Sequence, residues 1–166
     1  MNIEIERKFI VKGEYKSLAF AHSHIEQGYF ETAPGRTVRI RIRDEKAYLT
    51  IKGPSNTEGL SRYEFETEVS MEDARQLLNL CRPGRIEKTR WLVKGNDGHT
   101  FEIDEFMGDN SGLVMAEVEL KSESEPFEHP DFLGREVTGD RRFYNNHLMR
   151  YPYLIWGPAF EAESEG

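Results

Sequence analysis

The sequence predicts an α+β fold in which about eight antiparallel strands close into a β-barrel. Three observations carry that expectation. Eight short segments alternate apolar and polar residues, as strands do. Turn-forming residues separate them at short range, which favours antiparallel pairing. One face of these strands carries charge in blocks of a single sign, and such blocks call for opposite charge across an enclosed space, which a closed barrel supplies.

In chain order the strand segments are residues 2–11, 25–31, 37–44, 46–53, 60–70, 85–94, 99–107 and 114–122. Ala33-Pro34-Gly35, Asp44-Glu45, Gly53-Pro54, Gly95-Asn96-Asp97-Gly98 and Gly108-Asp109-Asn110-Ser111-Gly112 supply the turns. A helix is expected over Met71–Leu80, with Ser70 as N-cap and Met71, Ala74, Leu77 and Leu78 on one apolar face. A second helix is expected over residues 13–20. After Pro130 a short strand at 135–138 precedes a last helix at 141–149, in which Phe143, His147 and Leu148 share a face. The chain of 166 residues suits one core, so residues 1–156 are expected to form one domain and the acidic tail 157–166 to be unstructured.

Positions two apart in a strand point to the same face, about 7 Å apart. Glu4, Glu6 and Lys8 alternate with Ile3, Ile5 and Phe9; Arg39, Arg41 and Arg43 with Val38, Ile40 and Ile42; Glu64, Glu66 and Glu68 with Phe65 and Val69. Lys88 and Arg90, Glu102 and Asp104, and Glu117, Glu119 and Lys121 repeat the rule, and Lys52 ends a strand whose other face is Ala47, Leu49 and Ile51. An ordinary half-solvated sheet also alternates, and its cross-strand ion pairs contribute little each. Such a face usually mixes Thr, Ser, Gln and Lys, however, whereas these come largely in blocks of one sign, three arginines at 39, 41 and 43 and three acids at 64, 66 and 68. This face holds nine acids (Glu4, Glu6, Glu64, Glu66, Glu68, Glu102, Asp104, Glu117, Glu119) against eight bases (Lys8, Arg39, Arg41, Arg43, Lys52, Lys88, Arg90, Lys121). A lining so nearly neutral accommodates a polyanion of about four to five charges only together with cations, and about two divalent ions would balance it. The Walker spacing is missing, so phosphate would be held by side chains alone.

The net charge of −8, from 30 acids and 22 bases, argues against a nucleic-acid polymer or an anionic membrane surface as partner. With a single cysteine, Cys81, no secretory pattern and no span of about 18 apolar residues, the cytosol is the expected location. His22-Ser23-His24, expected in a loop, reads as a solvated pair rather than a zinc site. Tyr29 and Trp91 could stack on a base, but strand aromatics more often pack, and His147 is read the same way.

The Glu4-Ile5-Glu6-Arg7-Lys8 strand resembles the ExExK signature of the CYTH superfamily, the triphosphate tunnel metalloenzymes. Arg39-Ile40-Arg41, Thr50-Ile51-Lys52-Gly53, Glu64-Phe65-Glu66, Lys88-Thr89-Arg90, Glu102-Ile103-Asp104 and Glu117-Val118-Glu119 follow in order, and residues 136–144 resemble the end of small bacterial members. The resemblance spans roughly residues 2–150. It implies an eight-stranded antiparallel tunnel with helices packed outside. It makes Glu4, Glu6 and Glu119, with Glu117 nearby, ligands of Mg2+ or Mn2+, and Lys8, Arg39, Arg41, Lys52, Lys88 and Arg90 the grip on phosphates. Glu64, Glu66, Glu102 and Asp104 are left as catalytic candidates that hold a second metal, orient the basic residues or position water. The implied reaction is metal-dependent hydrolysis of a small triphosphate, inorganic triphosphate first. Adenylate cyclisation, thiamine or nucleoside triphosphate hydrolysis and non-catalytic binding are the alternatives. The oligomeric state is left open, a homodimer included.

Overall fold

A computed structural model describes residues 5–54 and 63–165, so Glu4 and residues 60–62 of the expected fifth strand lie outside the described residues. Among the described residues there are nine strands, β1 (Ile5–Val11), β2 (Ala19–Tyr29), β3 (Thr37–Arg43), β4 (Lys46–Lys52), β5 (Glu64–Val69), β6 (Ile86–Lys94), β7 (Thr100–Phe106), β8 (Val114–Leu120) and β9 (Leu133–Glu136). They form one antiparallel sheet in the order β5-β4-β3-β2-β6-β7-β8-β1-β9. The count is nine rather than eight, because β9, close to the expected short strand, pairs with β1. The described residues also form the helices α1 (Met71–Leu80), α2 (Asn145–Arg150) and α3 (Tyr153–Glu165). The described residues divide into two compact units, one within 24–87 and the other of 5–23 with 88–165.

In the first unit the apolar face of the sheet is covered by α1. Ser70 caps the helix, its hydroxyl accepting from the Asp73 amide at 3.0 Å. The buried side of α1, Ala74 and Leu78, packs with Ile40, Ile42 and Ala47. The β3–β4 hairpin closes through Asp44-Glu45, with Arg43 opposite Lys46. Asp44 takes a left-handed φ of 53° there, which a short polar side chain tolerates. Its carboxylate accepts from the His24 amide at 2.9 Å.

In the second unit the apolar faces of β1, β6, β7 and β8 build the core. Phe9, Val93, Phe101, Ile103, Ala116, Val118 and Leu120 pack with Tyr15, Phe132 and Leu133. Phe101 meets Phe132 edge-on, with ring centres 5.7 Å apart.

Three local expectations need correction. Residues 13–20 make only a tight 3-10 turn at Lys16–Leu18, after which β2 begins at Ala19. Tyr15, buried beside Trp91, has a φ of −135° that is not helical, and β2 takes in His22 and His24, which lie in a strand rather than a loop. Residues 141–149 split into a 3-10 turn, Arg141–Phe143, and α2, because Tyr144 adopts extended backbone between them. The tail expected to be unstructured from Gly157 is helical as α3. Phe160 is its anchor, buried against Phe143 and Trp156, and Tyr153 donates a hydrogen bond to Glu161 at 2.9 Å. Packing there outweighs the cost of Pro158 inside the helix.

Candidate active site

Alternation puts Glu6, Lys8, Lys88, Arg90, Glu102, Asp104, Glu117 and Glu119 on the sheet face opposite the core in the second unit. The register aligns them further: Arg90 stands across from Asp104, Glu117 across from both Lys8 and Glu102, and Glu6 across from Glu119. At the centre lies a buried ion cluster. Lys88 and Asp104 are 1% and 3% exposed. The Lys88 ammonium lies 2.8 Å from Asp104 Oδ2. Arg90 clasps the same carboxylate bidentately, Nε to Oδ1 at 2.8 Å and Nη2 to Oδ2 at 3.1 Å, and its Nη1 reaches Glu102 Oε2 at 2.6 Å. The Lys8 ammonium is 3.6 Å from Glu117 and 4.6 Å from the centre of the Tyr144 ring.

The electrostatics follow from burial. Desolvation alone would raise the Asp104 carboxyl, but the Lys88 charge and the hydrogen bonds from Arg90 outweigh it and hold it at about 2. Arg90 is raised despite its own burial, through Asp104 and Glu102. Glu102 moves the opposite way from Asp104. Burial raises it, and the acids Glu117 and Asp104 add to that against the pull of Arg90 and Lys88.

The first unit holds Arg39, Arg41, Lys52, Glu64 and Glu66 on the face away from α1. Lys52 stands opposite Glu64, and Thr50 opposite both Arg39 and Glu66. Arg41 Nε donates to Gln27 Oε1 at 2.8 Å, and Gln27 Nε2 donates to the Tyr29 hydroxyl at 2.8 Å. Arg39 Nη2 donates to the Thr50 hydroxyl at 3.3 Å, which donates to Glu66 Oε2 at 3.0 Å. Charge alternation alone did not single out Gln27 and Thr50, both 0% exposed. The available signal was their parity, since each shares its strand face with the charged residues. Tyr29 is buried, and Trp91 packs beside Tyr15 and His22, the packing role expected of both.

Among the described residues no group of three or more His, Cys, Asp or Glu side chains converges tightly enough to hold a metal ion. Glu4, a member of the expected ligand set, lies outside them. The remaining donors are carboxylate oxygens at Glu6, Glu117 and Glu119, a chemistry that fits Mg2+ or Mn2+ rather than a softer metal. No described helix is long and apolar enough to cross a membrane.

Residues 2–144 match the family model described as the CYTH domain, and the chain belongs to that family. A curated inorganic triphosphatase of Acetivibrio thermocellus is 46% identical over 155 residues, 92% of this chain and 97% of that protein. One of Nitrosomonas europaea is 36% identical over 153 residues, 87% and 95% of the two chains. A solved crystal structure of an inorganic triphosphatase superposes with a TM-score of 0.71 at 32% identity, over 90% of this chain and 95% of that one.

Proposed function

We propose that this chain hydrolyses inorganic triphosphate to diphosphate and phosphate with the help of a divalent cation. The observation that carries the reading is the pairing of acids with acids: Glu6 faces Glu119 and Glu102 faces Glu117 across adjacent strands, on the face that also holds Lys8, Lys88 and Arg90. Like charges directly opposite one another destabilise a sheet, and a carboxylate-bound cation accompanied by a base-bound polyanion relieves both sets. The two curated relatives, both inorganic triphosphatases, support triphosphate as the polyanion. A small-molecule substrate rather than a polymer, a cytosolic setting and the closed tunnel of the family resemblance belong to the same proposal.

Glu6, Glu117 and Glu119, together with Glu4, would hold Mg2+ or Mn2+. When bound, the ion supplies Lewis-acid neutralisation of phosphate oxygens. The chain's own groups do the rest. Lys8, Lys88 and Arg90 bind phosphoryl oxygens, and burial strengthens that attraction relative to water. Asp104 fixes the Lys88 ammonium and Arg90 guanidinium in advance, so no reorganisation is needed as charge grows on the leaving diphosphate. In the first unit Arg39, Arg41 and Lys52 are the phosphate-binding candidates, the guanidinium forks suited to phosphate oxygens bidentately. Of the four acids expected to be catalytic, Asp104 orients bases, Glu66 and Glu64 sit beside Thr50 and Lys52, and Glu102, half-buried next to Arg90, is the group we assign to positioning the attacking water.

The test incubates purified protein with Mg2+ or Mn2+ and, separately, inorganic triphosphate, ATP and thiamine triphosphate, measuring released phosphate and cyclic AMP. Phosphate from inorganic triphosphate, abolished in Glu6→Ala/Glu119→Ala, is the expected result. Cyclic AMP from ATP would move the assignment to a cyclase, and tight triphosphate binding without turnover would make the chain a binding module.

A further inference from the structure

Two arginines expected to bind phosphate are held in opposite ways, and the difference lies in what lies beside them. Arg90 is clasped directly by two carboxylates, Asp104 and Glu102. Arg39 is held through a neutral group: its Nη2 reaches the Thr50 hydroxyl, and that hydroxyl reaches Glu66. The direction of each bond is fixed by chemistry. A guanidinium cannot accept and an ionised carboxylate cannot donate, so Thr50 must accept from Arg39 and donate to Glu66. Thr50 is 0% exposed and lies in the central strand of the β3-β4-β5 triple, directly opposite Arg39 on one side and Glu66 on the other. A second observation points to a ligand. Arg39 Nε is buried and has no hydrogen-bond partner among the described residues, a costly state for a charged donor.

We propose that Thr50 is a positioning residue for phosphate binding, anchoring Arg39 through a neutral hydroxyl so that its charge and its Nε–H are left for a phosphate oxygen of the substrate. The proposal rests on the triphosphate reading above. A carboxylate placed directly on Arg39 would orient it equally well but would neutralise the charge that the phosphate needs. The hydroxyl separates the two functions, holding the guanidinium plane while it keeps Glu66 at one remove. Arg39 thereby differs from Arg90, whose charge is largely compensated within the protein.

The experiment is a double-mutant cycle between Thr50→Val and Arg39→Ala, read as KM and kcat for triphosphate. The Kd of imidotriphosphate, the nitrogen-bridged analogue, is measured by calorimetry with Mg2+ present. Valine keeps the shape of threonine and deletes both hydrogen bonds. Thr50→Val should raise KM and the analogue Kd by about three- to tenfold, the net worth of one ordinary hydrogen bond. It should change kcat by less than about twofold, and Thr50→Ser should restore wild-type values. In the Arg39→Ala background Thr50→Val should have no further effect, since a residue acting through Arg39 loses its role without it. Should valine fail to fold by circular dichroism, Thr50→Ala makes the same prediction. Wild-type affinity in Thr50→Val, or an effect that adds fully to that of Arg39→Ala, overturns the proposal while leaving the triphosphatase reading intact. A wild-type chain that neither binds nor hydrolyses triphosphate overturns both.

Discussion

Asp104 is the residue whose neutralisation should cost the protein most, and the structure sets the size of the loss. Its carboxylate, 3% exposed, compensates a Lys88 ammonium that is 1% exposed and one edge of Arg90. Asp104→Asn keeps the volume and removes the charge, leaving the lysine buried with its main partner gone. The fall of the carboxyl to about 2 corresponds to a few kcal/mol, at about 1.4 kcal/mol for each pH unit. Breaking one side of a buried ion pair typically costs about 3–5 kcal/mol. Because Asn still offers an amide oxygen to Arg90, a loss of about 2–4 kcal/mol at pH 7 is expected. For a chain of this size that lowers Tm by about 5–15 °C. The pH dependence has a definite sign. A carboxyl whose folded pKa lies below its unfolded value stabilises the fold above the unfolded value, and that stabilisation is lost as pH falls through the folded one. The gap between wild type and Asp104→Asn should therefore be full above about pH 4 and should close toward pH 2. Urea unfolding followed by tryptophan fluorescence at stepped pH measures both. A variant within about 0.5 kcal/mol of wild type at pH 7, or a gap that does not narrow in acid, would refute the buried cluster as described.

Three smaller perturbations test the surrounding fold. Gly28→Ala would set its new Cβ 3.0 Å from Cys81 Sγ and 3.2 Å from Leu78 Cδ2, so those packed side chains must give by a few tenths of an ångström, and chemical denaturation should show a loss of about 1–3 kcal/mol. Ser70→Ala removes the oxygen that accepts from Asp73 and should cost about 1 kcal/mol by the same assay. His99 lies between Glu125 and Asp97, and those carboxylates, accepting from its ring N–H groups, hold its imidazolium above the ordinary value of 6.5. A raised folded pKa stabilises fully below 6.5 and is lost as pH rises through the folded value, so the Tm advantage of wild type over His99→Asn should be present at about pH 5.5 and should shrink on raising pH through the neutral range.

Much of the fold is legible in the sequence where the signal is local. The Ser70 cap and the spacing of Met71, Ala74, Leu77 and Leu78 define α1 without reference to the rest of the chain. Arg39-Ile40-Arg41-Ile42-Arg43 can only be a two-faced strand. The start of β2 is different, because Ala19-Phe20-Ala21-His22 has no strong preference of its own and its conformation comes from its place in the sheet. The helix α3 was hidden by Gly157 and Pro158, two residues that disfavour helix locally and are overruled by the burial of Phe160.

The same division runs through the candidate site. Charged side chains announce themselves by alternation, and the register then joins Arg90 to Asp104 and Lys8 to Glu117. Gln27 and Thr50 were silent because a neutral polar residue in a strand is ordinary until a neighbour's charge is known to rest on it. Division of labour among the acids was equally beyond the sequence. Asp104 and Glu102 stand two residues apart on one strand face, and only burial and distance separate the clamp, 3% exposed and held by two bases, from its half-buried neighbour.

The most direct test of the triphosphatase reading is phosphorus NMR of inorganic triphosphate incubated with the protein and Mg2+ or Mn2+. The account predicts that the triphosphate signals give way to orthophosphate and diphosphate in equal amounts, and that a chelator stops the conversion. Unchanged triphosphate at protein concentrations sufficient to bind it, or conversion that continues at full rate in the chelator, would contradict it.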